Sequence, residues 1–165
     1  MSEASPDDDV VRPATDADAT AVAEIWHEGW PDGHLGHVPP ALVEVRTEES
    51  FHERAAARVA DTTVAVAGGE VAGFVMVVDD EVEQVYVSRR HRGSGIAARL
   101  LTEGERQVRD SGHTCAWLAV VEGNVRARVF YERTGWVDDG PFVYAAHTEE
   151  GDMNVPCRRY IKRVG

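Results

Sequence analysis

Apolar positions along this chain alternate between a two-residue and a helical period, and the switches mark out its elements. A short strand at 10–12 precedes Thr15 and Asp18, which form a capping-box-like pair with Asp in place of the usual Glu. Val22, Ile25 and Trp26 then share one face of a helix, and the Gly-, Pro- and His-rich segment 30–40 predicts its end. A second helix is expected over 47–59, where Phe51, Ala55 and Val59 stand at helical spacing. Three strand-like runs follow at 62–67, 71–78 and 82–87. Gly68-Gly69 and Asp79-Asp80-Glu81 separate them, and connections this short predict an antiparallel meander.

Past Gly95 a helix buries Ile96, Leu100, Leu101 and Val108, runs to about Asp110 and is stopped by Gly112. A strand at 114–121 should lie parallel to 82–87, because a helical crossover joins the two. Asn124 is placed to cap a helix carrying Val125, Val129 and Phe130 that ends at Gly135, and 142–146 with 155–162 predict a closing hairpin. The order implies an α/β (α+β) domain whose mixed, mostly antiparallel sheet is flanked by helices.

Composition narrows the functional classes. A chain of 165 residues, 43% hydrophobic and 28% charged, fits one domain spanning 10–165 after an acidic segment, 1–9, expected to be a disordered tail rather than a signal peptide. The longest apolar run, 71–78, is too short to span a bilayer, so a cytoplasmic protein without a membrane partner is expected. A net charge of -12 argues against a nucleic-acid partner. Cys115 and Cys157 suggest buried free thiols. His34 and His37 lack the companions a zinc site needs, so no metal is expected.

Against this acidity the turn after residue 87 stands out. Arg89, Arg90 and Arg92 precede Gly93, Ser94 and Gly95, where a strand feeds a helix. Glycines let an anion approach the main chain, and the first helical turn offers unpaired N–H groups to bind it. No Gly-Lys-Ser/Thr follows, and the third glycine of a dinucleotide fingerprint is missing. A nucleotide-binding fold is therefore the weaker rival.

Arg90-x-x-Gly93-x-Gly95, followed by Ile96-Ala97 and Leu100-Leu101, resembles the acetyl-CoA-binding motif of the GNAT superfamily of N-acetyltransferases. The segment from Asn124 to Trp136 resembles a second motif of that family, with Trp136 where Phe is usual, and Val11 to Asp18 resembles its opening strand and first helix cap. The resemblance implies a GNAT fold in which two central parallel strands splay and acyl-CoA enters the gap. Backbone groups of Val85 and Val87 would pair with the pantetheine amides. Arg90, Arg92, Gly93, Ser94, Gly95, Ile96 and Ala97 would hold the pyrophosphate, with Asn124 beside the cofactor.

The implied reaction is direct acetyl transfer from acetyl-CoA to a primary amine of a small molecule or peptide. Glu83 is the candidate general base. By the two-residue period it shares a strand face with Val87, and Glu81, of the same parity, is its alternative. Tyr131 is the candidate general acid. The acceptor is expected over 26–37, where Trp26, His27, Trp30, His34 and His37 cluster, and the acidity of the chain suggests a cationic acceptor. A homodimer is suggested by family habit alone. The alternative is a non-catalytic acyl-CoA-binding sensor or interaction module.

Overall fold

Strands β1 (Val10–Pro13), β2 (Thr62–Ala67), β3 (Glu70–Val78), β4 (Glu81–Val87), β5 (Cys115–Val121), β6 (Val137–Thr148) and β7 (Gly151–Arg163) form one sheet, ordered β1-β2-β3-β4-β5-β7-β6. This computed structural model describes residues 9–165, so the expected disorder of the acidic segment falls, Asp9 apart, outside the described residues. Every neighbouring pair is antiparallel except β4 and β5. Helices α1 (Ala19–His34), α2 (Pro40–Val45) and α3 (Glu48–Ala57) cover one face, and α4 (Ile96–Asp110) and α5 (Val125–Arg133) cover the other.

The two helical layers bury different residues of the same strands, as the pleat requires. On the α1 side Trp26 packs edge-on to Phe51 at 5.6 Å and against Phe74 at 5.8 Å, with Met76 and Val64 beneath. On the α4 side Leu100, Leu101 and Val108 meet Val75 and Val82. Tyr160 and Trp136 close that core next to α5.

The capping box forms as expected: the carboxylate of Asp18 accepts from the Thr15 amide at 2.8 Å and also pairs with Arg12 at 2.7 Å. Thr47 caps α3 by accepting from the Ser50 amide. The first helix ends at His34, inside the segment 30–40 expected to break it. α1 continues through Pro31 and Gly33 to His34, because Gly29, Trp30 and Gly33 are all buried and packing outweighs local propensity. Gly29 and Gly33 are needed there. A methyl carbon on Gly29 would meet Cδ1 of Tyr86 at 2.8 Å, and one on Gly33 would meet Nδ2 of Asn124 at 2.5 Å. α2, which opens with Pro40 at its first turn, was not anticipated.

Two further expectations need revision. The closing hairpin is longer than 142–146 and 155–162, because β6 is an edge strand whose outward residues stay exposed and so look loop-like in sequence. Cys157 is a buried free thiol, whereas Cys115 is exposed at the start of β5. Val125 and Val129 lie on the exposed side of α5.

What positions the site is the parting of β4 from β5. The two strands share a single pairing, Glu81 opposite Trp117, where the Trp117 amide donates to the Asp80 carbonyl at 3.0 Å. Beyond it the facing edge of β4 has no ladder partner among the described residues. A bulge accompanies the divergence: Gln84 stands opposite Met76 but Val82 opposite Val77, which leaves Glu83 as an extra residue. The extra residue reverses the parity expected from the sequence. Val82, Val85 and Val87 all lie on the α4 side, whereas Glu83 turns to Arg58 at the end of α3. Glu83 therefore does not share a face with Val87.

Candidate active site

The gap between β4 and β5 opens onto two cavities. A cleft of about 460 Å³ is lined by Val85 and Val87, by Arg92, Gly93, Gly95, Ile96 and Ala97 of the glycine turn, and by Asn124, Phe130 and Tyr131 of the next helix. A larger cavity of about 950 Å³ lies on the α2–α3 side, walled by Trp30, Arg46, Arg54, Arg58, Glu81 and Tyr144. Both are lined by His34, Glu83, Gln84 and Ala119, so the two meet where the strands part.

In the first cleft the glycine turn supplies main-chain donors. Gly93 and Gly95 have φ of 79° and 83°, the left-handed region that β-carbon sterics disfavour. Gly95 is the N-cap of α4 and has no side chain to cap with, so the amides of the first helical turn lack intrahelical acceptors. Asn124 caps α5 by accepting from the Ala127 amide at 3.2 Å, and its amide nitrogen abuts Gly33.

The arginines of the turn are tied to carboxylates. Arg92 pairs with Asp32 at 2.9 Å, and Arg89 approaches Glu28 and Asp32. Arg90 pairs with Glu70 at 3.0 Å, is 79% exposed, and stands outside the cleft lining. The Ser94 hydroxyl is engaged with the His91 carbonyl. Arg126 lines the cleft and has no ion-pair partner among the described residues.

Tyr131 packs at 6.4 Å from Trp136 and 6.1 Å from Tyr160, and burial pushes its hydroxyl up to about 12. At neutral pH it is protonated and able to donate.

The two candidate bases have different surroundings. Glu83 is held by both guanidinium nitrogens of Arg58, at 2.6 and 2.9 Å. Glu81 accepts from the Tyr144 hydroxyl at 2.9 Å, and burial pushes its carboxyl up to about 7 against the effect of that hydrogen bond. A carboxyl poised near neutrality exchanges protons readily at working pH.

Of the aromatic and histidine residues at 26–37, Trp30 and His34 line the larger cavity, stacked at 4.5 Å. Trp26 lies in the core, His27 packs on Phe51, and His37 lies against Gly123. His34 Nδ1 is 2.7 Å from the Trp30 carbonyl, and a carbonyl only accepts, so Nδ1 carries the proton. Desolvation brings this ring down to about 4, which leaves it neutral with Nε2 as an acceptor.

Sequence reasoning missed Gln84, Ala119, Arg126, Tyr144, Arg46 and Arg54. Tyr144 was within reach, as an aromatic at an alternating position of the predicted hairpin. The others carry no local signal, since they become neighbours only when the strands part.

Comparison with known proteins agrees with this architecture. Residues 19–136 match the model of the acetyltransferase (GNAT) family. An uncharacterised N-acetyltransferase of Mycobacterium tuberculosis is 32% identical over 88 residues, covering 49% of this chain and 56% of its own length. The chain thus spans a little over half of the curated relatives it matches. Among solved structures, yncA from Salmonella typhimurium, determined with its cofactor acetyl-CoA, superposes with a TM-score of 0.69 at 18% identity, covering 95% of this chain and 94% of its own. PaiA N-acetyltransferase from Thermoplasma acidophilum, in complex with coenzyme A, gives 0.68 at 18% identity, covering 94% and 98%. These likenesses establish the fold, a seven-stranded, mostly antiparallel sheet with parting parallel strands. The chain belongs to the GNAT acetyltransferase family.

Proposed function

We propose that this protein transfers an acetyl group from acetyl-CoA to a primary amine. The observation that carries the proposal is the meeting of two cavities at Glu83, Gln84 and Ala119, where β4 and β5 part. One cavity suits an extended cofactor and the other an acceptor.

The cleft fits acetyl-CoA on three counts. The unpaired edge of β4 offers main-chain groups at Val85 and Val87 to an extended amide chain, by the chemistry of strand addition. The open amides from Gly93 to Ala97 suit a pyrophosphate, with Arg92 and Arg126 as cationic neighbours. Asn124 borders the same cleft. Bound there, acetyl-CoA supplies an acyl group already activated as a thioester.

The remaining work is proton movement. Glu81 takes the proton that the acceptor ammonium must lose, from the acceptor side of the junction. Glu83 positions Arg58 and keeps it neutralised. The Tyr131 hydroxyl holds the proton destined for the departing sulfur. Arg90, paired with Glu70, contributes through the backbone of the turn.

Calorimetric titration with acetyl-CoA tests the first half of the proposal. Wild type should bind it, and a Gly93→Ala, Gly95→Ala double variant should bind about ten-fold more weakly, since both positions lie at positive φ beside the phosphate site. No binding by wild type would refute the proposal. Binding with no thiol release in any amine would indicate a sensor.

A further inference from the structure

We propose that the larger cavity takes an amine that also carries a carboxylate, with Arg46 and Arg54 as the groups that receive the carboxylate. This rests on the amine-acetylation function above and specifies its acceptor.

Arg46 follows α2 and Arg54 lies on α3, and both line the acceptor cavity but not the cofactor cleft. Arg54 has neither a hydrogen bond nor an ion pair among the described residues, and its Nη1 is buried and unpartnered. The guanidinium is held instead by stacking, 4.0 Å from the Trp26 ring centroid and 5.5 Å from that of Phe51. Among the described residues Arg46 makes one bond, from Nη2 to the His147 carbonyl at 2.9 Å, and its Nε is likewise buried without a partner.

Two guanidinium groups thus share a partly dry cavity with no carboxylate in ion-pair range among the described residues. Burial is the first cause that brings Arg54 down to about 9, and repulsion from Arg46 adds to it. Buried charges in proteins are ordinarily paired, because leaving one unpaired sacrifices its solvation without return. Shortage of acids does not explain the exception, since the chain has 29 Asp and Glu against 17 Lys and Arg. One turn along α3, Arg58 has its carboxylate in Glu83. The rim acids Glu53 and Glu149 crowd each other instead of turning to the arginines.

A ligand oxyanion in the cavity would relieve the repulsion, and a planar guanidinium matches a carboxylate in shape. Glu81 and Glu83 border the same cavity and suit an ammonium. The walls therefore complement a zwitterion, a departure from the purely cationic acceptor that the overall charge suggests. Free amino acids and short peptides both present this pair of groups.

The test is calorimetry on CoA-saturated protein, titrating the proteinogenic amino acids and each of the corresponding amines that lack the carboxylate, with dipeptides as a separate arm. At least one amino acid or dipeptide should bind about ten-fold or more tightly than its decarboxylated amine, the scale of a hydrogen bond to a charged group. Arg54→Met and Arg46→Met should each erase that preference while acetyl-CoA binding is unchanged, and Arg54→Lys should keep part of it. Retained acetyl-CoA binding shows that a variant is folded, and Arg46→Met serves if Arg54→Met is not. The proposal is overturned if amines bind as well as their carboxylated counterparts, if no carboxylated compound binds, or if the folded variants keep the preference. Carboxylate-dependent binding without thiol release would leave the anion site standing and remove acetyl transfer. Thiol release with no carboxylate preference would do the reverse.

Discussion

The Tyr144 hydroxyl donates to Oε2 of Glu81 at 2.9 Å, joining β6 to β4 across the two strands that separate them in the sheet. Burial raises the Glu81 carboxyl to about 7 and the Tyr144 bond pulls it down. If Glu81 is the base, kcat/KM should rise with pH through a limb near 7 as Glu81 loses its proton. Tyr144→Phe removes a bond to the charged form, so the limb should move to higher pH. Glu81→Gln should lower kcat about 100-fold or more. A limb that stays in place in Tyr144→Phe would assign it to another group.

Glu83 should behave differently. Its carboxylate and the Arg58 guanidinium are 18% and 23% exposed, so this pair is largely shielded from solvent. Glu83→Gln removes the bidentate partner of Arg58 and leaves it only Asp61 at 3.3 Å, which should cost about 1–3 kcal/mol in urea denaturation, while the acidic limb of the rate profile persists. Loss of the limb with unchanged stability would exchange the roles of Glu81 and Glu83.

Tyr131→Phe keeps the ring between Trp136 and Tyr160 and removes only the hydroxyl. Stability and acetyl-CoA affinity should stay near wild type. Turnover should fall about 10- to 100-fold, the scale of losing one proton donor. Equal turnover in both proteins would make the residue a packing aromatic.

Gly33 is the point where α1 touches the start of α5. A methyl group there would press on the Asn124 amide and disturb the cap it provides. Gly33→Ala should destabilise the fold by about 1–2 kcal/mol, comparable to loss of a helix cap. It should also raise KM for acetyl-CoA. Thermal denaturation with and without acetyl-CoA separates the two effects.

The sequence made the cofactor half of the site legible for a physical reason. β4, the turn and α4 are contiguous, and the change from a two-residue to a helical period around Gly93 and Gly95 is local information. Asn124, too, announced its cap. The acceptor half was legible only in part: Glu81, Trp30 and His34 are named from the sequence and line the cavity, whereas Arg46, Arg54 and Tyr144 come from segments that meet only in the folded sheet. Pro31 and Gly33 signal a helix end, yet contacts with Tyr86 and Asn124 carry α1 past them. The face of Glu83 was misjudged because strand parity holds only between bulges, and one extra residue opposite Met76 and Val77 reverses it.

The most direct measurement is release of CoA thiol from acetyl-CoA across amines, amino acids and peptides, matched against acetylated product by mass spectrometry. The account predicts thiol and acetylated amine in one-to-one amounts for at least one acceptor, with both suppressed in Glu81→Gln. Acetyl-CoA bound firmly while no amine in the panel yields thiol or product would contradict it.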